Sequence, residues 1–223
     1  MKRVYNCIES DDQHRDWSLQ KAKALGLSAR EKVVPASKDL REPWWNVGDQ
    51  ADTGSCVGWA LADSVLRYHF VKAGKLRKHE HISVRYIWMA AKEMDHKCEY
   101  PTTFLDDAGT SAKTALQLVR KIGALKSSVL PFDGGLVRVR EHHFLAIASR
   151  LRVRAFINLC GTQSGKLDRF KEWLAYHCTL PLIEVPAVSQ VSSRLHNFAP
   201  SPGLGAETWN AADWWLSPAP SPG

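Results

Sequence analysis

From Cys56 onward the apolar positions fall at helical spacing. Trp59, Ala62, Leu66, Phe70 and Ala73 recur at steps of three and four, and Val57, Leu61, Val65 and Tyr68 form the adjoining stripe. An arc that wide does not suit a helix lying on the surface. The pattern therefore predicts a helix buried around most of its circumference, with Gly74 as its C-terminal cap. A polar loop, Gly48-Asp49-Gln50-Ala51-Asp52-Thr53-Gly54-Ser55, leads straight into it. That order puts Cys56 at or just before the helix N-terminus.

The same reading extends along the chain. Ser83 opens a second helix, with Val84, Ile87, Trp88 and Ala91 on one face and an end near Asp95. Cys98–Asp107 reads as a loop. Thr110 or Ser111 can cap a third helix that runs to about Lys121 and is closed by Gly123. Pro131–Gly135 is a turn, and Glu141–Leu151 is helical, with Phe144, Ala148 and Leu151 on one side. Arg152–Leu159 alternates: Val153, Ala155, Ile157 and Leu159 face one way, Arg152, Arg154, Phe156 and Asn158 the other. Alternation of that kind predicts a half-buried strand. Lys166–His177 is an amphipathic helix with Leu167, Phe170, Trp173 and Leu174 inward, and Leu180–Val185 is a second strand. Near the start, Asp16-Trp17-Ser18 followed by Leu19, Ala22 and Leu25, with Gly26 closing, predicts a short helix. It lies in an N-terminal extension, residues 1–34, expected to pack on the surface. The adjacent Trp44 and Trp45 read as a packing feature.

Composition narrows the class. The chain has 223 residues, 44% hydrophobic and 24% charged, which suits one globular domain or one domain of two lobes. The net charge is +7, but Lys and Arg are scattered, and no nucleic-acid module accompanies them. No nucleic-acid partner is expected. No apolar run reaches membrane-spanning length, so no membrane is expected either. No apolar segment follows the basic start, and none of the five cysteines (Cys7, Cys56, Cys98, Cys160 and Cys178) forms a C-x-x-C pair. These features point to a reducing, cytoplasmic setting without a disulfide framework or structural zinc. His79 and His81 could pair on a metal, but they sit in a charged connection that reads as solvated. No metal or other cofactor is expected.

The candidate chemistry centres on Cys56. Backbone N–H groups at a helix N-terminus have no intrahelical acceptor, and the macrodipole favours negative charge there. A thiolate is stabilised in such a place and becomes the better nucleophile. The alternative is a small buried structural cysteine, a common fate of this residue. The nucleophile reading needs a sulfur that substrate can reach, with the Gln50 amide turned toward it and away from bulk water. A sulfur sealed among apolar neighbours is the mark of the structural reading.

The stretch resembles the active-site segment of papain-like cysteine peptidases. Gln50 stands six residues before Cys56, and Gly54-Ser55-Cys56 opens the helix. Pro35…Asp39-Leu40-Arg41 resembles the Pro-x-x-x-Asp-x-Arg that begins the family's mature domain. Gly109, then Ala115-Leu116-Gln117-Leu118-Val119, Gly123 and Pro131-Phe132, follow in the family's order. Val57-Gly58-Trp59 after the thiol looks most like a bacterial branch. The resemblance covers roughly residues 35–186 and implies an α+β papain-like fold, with a helical lobe around the central helix and an incomplete β-rich second lobe. It implies Cys56 as nucleophile, with Gln50 and the Cys56 N–H as the oxyanion hole. Gly54, Ser55, Ala108 and Gly109 would line the wall that binds a peptide or protein substrate. Read without the resemblance, Ala108-Gly109 is simply a loop before a helix cap. Secreted members usually carry a cysteine three residues before the nucleophile; here that residue is Thr53, so the bridge it would make is missing.

The resemblance stops in the last third. A general-base histidine followed by Ala-Val is expected near Trp209–Trp215, followed by Asn-Ser-Trp-Gly, and neither is present. His196-Asn197 comes too early, and Asn210 follows a tryptophan. From Ala187 onward the chain is rich in Ser, Pro, Gly and Ala, without strand alternation, so residues 187–223 read as a poorly ordered tail. The chain looks like a broken copy of the family pattern, truncated or shifted in reading frame. Two functions are consistent with this: a cysteine peptidase of weak or no activity, or a non-catalytic peptide-binding protein that keeps one wall of the cleft.

Overall fold

Three segments build the central helix. Helix α2 (Cys56–Trp59) runs without a break into a π-helical segment, Ala60–Leu66, and then into α3 (Arg67–Lys72). Residues 12–24, 39–46, 48–95, 108–135, 141–159, 168–171 and 173 are described in this computed structural model. The expected burial is found, since no residue from Cys56 to Phe70 is exposed. The π segment is not foreseen by the spacing. Within it, the Ser64 hydroxyl donates to the Ala60 carbonyl, a bond that competes with the regular backbone ladder. Residues beyond a π turn fall out of phase with an α-helical projection, and Ala73, assigned to the buried stripe by spacing, is exposed. Gly74 ends the helix at φ 68°. Lys75 N–H bonds the Phe70 carbonyl at 2.8 Å and Gly74 N–H bonds Val71 at 3.0 Å, the paired closure of a Schellman motif.

Helix α4 (Val84–Met94) lies against both the central helix and α5 (Ala112–Lys121). It is covered on all sides: Tyr86, Ile87, Trp88, Met89 and Ala91 are all 0% exposed. Each large apolar side chain removed from water in this way contributes roughly 1.5–3 kcal/mol. Helix starts follow their caps. Ser83 accepts from Tyr86 N–H at 3.0 Å and donates to the Leu130 carbonyl at 2.6 Å, while Ser111 accepts from Thr114 N–H at 3.0 Å. Gly58 lets α2 approach α4, because a Cβ there would stand 3.0 Å from both Trp88 Cβ and the Val84 carbonyl. Gly123, at φ 128°, closes α5 where a Cβ would overlap the Ala148 carbonyl of α6 (His142–Ala148).

Short helix α1 (Leu19–Ala24) forms as predicted, with Leu19 and Ala22 buried. Lys113 of α5 ties its approach in place, bonding Asp12 at 2.7 Å and Asp16 at 2.6 Å.

Two expectations need correction. Residues 152–159 do not form a strand. Ala124 N–H takes the Leu151 carbonyl at 2.8 Å, and the Arg152 guanidinium turns onto the Arg120 carbonyl at the end of α5 (3.0 and 3.1 Å). An alternating segment needs a neighbouring strand to become one. Here the only such link among the described residues is an isolated bridge, Asn158 to Ser18, with Asn158 N–H on the Trp17 carbonyl at 2.8 Å. The β half of the α+β expectation is likewise not met among the described residues, which hold helices and two isolated bridges. Leu25, Gly26, Pro35, the 98–107 loop, the 180–185 strand, His196 and the tail lie outside them. Of the helix expected at 166–177, residues 168–171 are helical.

Candidate active site

The turn that delivers Cys56 is braced from within. Asp49 accepts from Ala51 N–H at 2.9 Å, and Ala51 takes φ 53°, which is uncommon for a residue with a side chain. Gln50 and Thr53 then bond reciprocally. Gln50 Nε2 donates to the Thr53 carbonyl at 3.1 Å, the Thr53 hydroxyl donates to the Gln50 carbonyl at 2.7 Å, and Thr53 N–H reaches the same carbonyl at 3.3 Å. Gln50 is 3% exposed, so its amide is not turned to bulk water. Gly48 begins the turn beneath the Trp59 indole, where a Cβ would come within 2.0 Å of the ring. Trp59 in turn meets Phe132 edge-on at 5.0 Å.

Cys56 is the first residue of α2, as expected. Ser55, its N-cap, makes no side-chain bond to the first turn of the helix. Cys56 is 3% exposed and packs with the apolar core, the setting on which the non-catalytic reading rests. Gly54 and Ser55 are buried beside it.

Ala108 and Gly109 come to the same region through Trp88. The Trp88 indole N–H donates to the Ala108 carbonyl at 2.8 Å, and the other side of the residue, its Cβ, carries Gly58. One side chain thus links the start of the thiol helix to the 108–109 loop. That carbonyl is engaged by the protein itself, and Gly109 is buried.

Farther along, the helix holds a charged cluster that periodicity does not reveal. Arg67, 1% exposed, meets Asp63 at 3.3 Å and donates to the Trp44 and Lys78 carbonyls at 3.2 and 2.9 Å. His81 Nδ1 lies 2.9 Å from the same Asp63 carboxylate, and the Trp45 indole donates to the Asp63 carbonyl at 3.0 Å. Trp44 and Trp45 therefore pack against this cluster, and His81 serves it. The i,i+4 spacing of Asp63 and Arg67 is the sequence signal that could have found the pair. Asp39 and Arg41 of the resembling motif pair at 2.6 Å, and the Arg41 hydrogen bond holds the Asp39 carboxyl below its usual range. Among the described residues no group of three or more His, Cys, Asp or Glu side chains could hold a metal, and no helix is long and apolar enough to cross a membrane.

No family model and no curated protein matches the chain. Its fold is similar to that of xylellain, a cysteine protease from Xylella fastidiosa, with a TM-score of 0.58 and 17% identity. The match covers 78% of this chain and 65% of that one, so the chain spans about two thirds of that protein's length. At that identity the likeness supports a papain-like fold and nothing finer, and activity rests on the residues themselves.

Proposed function

We propose that this chain is built as a papain-like cysteine peptidase, with Cys56 as its nucleophile and slow or absent turnover. One observation carries the reading: the thiol opens an interior helix directly after a turn that holds the Gln50 amide out of bulk water. In the reaction the Cys56 sulfur bonds the peptide carbonyl carbon while the C=O π pair moves to oxygen. The Cys56 N–H and the second Gln50 Nε2 hydrogen would receive that charge. Collapse releases the amine, which takes up the thiol's proton, and water then cleaves the thioester and restores the thiol. The substrate would be a peptide or protein paired with the backbone near Gly109, while the Ala108 carbonyl stays with the Trp88 indole. His81 is committed to Asp63, and His69 and His143 lie against the rings of Tyr68 and Phe144, so none of the three is assigned as the base.

The second reading, a non-catalytic peptide-binding protein, is favoured by the 3% exposure of Cys56. A peptide epoxide separates the two. Rapid alkylation of Cys56 ahead of the other four cysteines, mapped by mass spectrometry, supports the peptidase. Equal, slow alkylation of all five rejects it. The reading-frame proposal has its own test: translation of the encoding DNA in its other frames beyond residue 185 should yield His-Ala-Val and Asn-Ser-Trp-Gly.

A further inference from the structure

Thr53 touches neither the sulfur's chemistry nor the substrate in the scheme above, yet it holds both ends of the Gln50 turn. A threonine hydroxyl has one hydrogen to give. Here that hydrogen goes to the Gln50 carbonyl at 2.7 Å. The 2.6 Å approach of the Thr53 and Ser55 hydroxyls can then be made in one sense only, with Ser55 donating and Thr53 accepting. Ser55 is the helix N-cap, and a serine there ordinarily accepts from an N–H of the first turn. Its side chain makes no such bond here. The same hydroxyl that fixes the Gln50 backbone thus engages the capping serine. The Thr53 carbonyl, meanwhile, takes one of the two Gln50 Nε2 hydrogens at 3.1 Å, which sets the direction of the other.

We infer that Thr53 is a positioning residue for the oxyanion site. Its hydroxyl and carbonyl orient the Gln50 amide, and its hold on Ser55 keeps that hydroxyl off the helix start beside Cys56. The inference rests on the proposed role of Cys56 and Gln50.

The test uses the full chain and two probes. A peptide aldehyde adds to Cys56 as a thiohemiacetal: the sulfur bonds the carbonyl carbon, the displaced π pair settles on oxygen, where the Gln50 site stabilises it, and the thiol's proton ends on that oxygen or in solvent. Iodoacetamide reads the sulfur's accessibility and thiolate fraction, with no oxyanion for the Gln50 site to stabilise. Removing an oxyanion donor costs on the order of 100-fold or more in a turning-over enzyme, and loss of its positioning should cost less, about tenfold in aldehyde affinity for Thr53→Val. Thr53→Ser, which keeps the hydroxyl, should restore affinity to near the parent value. Thr53→Val combined with Gln50→Ala should bind no worse than Gln50→Ala alone, because the two changes act through one group. Iodoacetamide rates at Cys56 should stay alike in all of them. Thr53→Ala replaces the valine variant if that one fails to fold. If Thr53→Val binds aldehyde as the parent does while Gln50→Ala binds worse, Thr53 has no positioning role and the peptidase reading stands. If the parent itself forms no adduct at Cys56, the peptidase reading falls and takes this inference with it.

Discussion

Asp63 and Arg67 face each other one helical turn apart, 3.3 Å between carboxylate and guanidinium, with the arginine side chain 1% exposed. Arg67 also ties the central helix to the segment before the active-site turn, bonding the Trp44 carbonyl and stacking on the Trp44 ring at 5.2 Å, beside the Trp45–Tyr68 ring contact at 5.9 Å. Breaking one side of a buried pair strands the other charge, which costs about 3–5 kcal/mol. Arg67→Met should therefore destabilise the chain by about that amount in urea unfolding. Asp63→Asn with Arg67→Met together should cost less than the sum of the singles. Strict additivity would show that the two side chains do not interact.

Gly123 should tolerate no side chain. Its φ of 128° is strained for any L residue, and a Cβ would lie 1.8 Å from the Ala148 carbonyl oxygen. Strain of this kind costs about 1–3 kcal/mol before any overlap is counted. Gly123→Ala is expected to exceed that range in chemical denaturation. Gly74→Ala is the control: its φ of 68° gives the same class of strain, with nothing within 4 Å to clash. It should cost less than Gly123→Ala, and equal losses would contradict the packing of α6 on the end of α5.

Tyr86 supplies a pH signature. It is 0% exposed, and its hydroxyl finds no hydrogen-bond partner among the described residues. Burial, helped by the nearby Glu93 charge, pushes its pKa from 10.0 up to about 12. The folded chain therefore holds this proton more tightly than the unfolded chain does. The resulting stability is complete below pH 10 and drains away as the pH rises from 10 to about 12. Tyr86→Phe removes an unsatisfied buried hydroxyl and should stabilise the chain by about 1 kcal/mol at neutral pH. It should also flatten the alkaline loss in thermal melts across that window. A variant less stable than the parent would mean that the hydroxyl has a partner.

Gly48 is the third glycine under test. A Cβ there would meet the Trp59 ring at 2.0 Å. An overpacked contact of this sort costs about 1–3 kcal/mol, so Gly48→Ala should destabilise the chain, and Trp59→Leu in the same chain should recover part of the loss. Melting temperatures of the two singles and the double decide it. If the double is no better than Gly48→Ala alone, Trp59 is not what the new methyl meets.

Local signals carried much of the fold. Ser83, Ser111, Gly74 and Gly123 mark helix ends by bonds and dihedrals that involve only nearby residues, and each ends or begins its helix where the chain order says it should. The wide apolar arc after Cys56 likewise required a buried helix, because no smaller burial could cover it. Tertiary structure decided the rest. Residues 152–159 alternate as a strand does, but a strand exists only with a partner to bond, and among the described residues this segment finds one isolated bridge, Asn158 to Ser18. Cys56 stands where the sequence puts it, yet its 3% exposure is a sum over side chains from distant positions that no local pattern records. The meeting of Trp88 with both Gly58 and Ala108, and of His81 with Asp63, arises for the same reason: the contacts join residues 18 to 30 positions apart, whose approach is set by how α4 packs on the central helix.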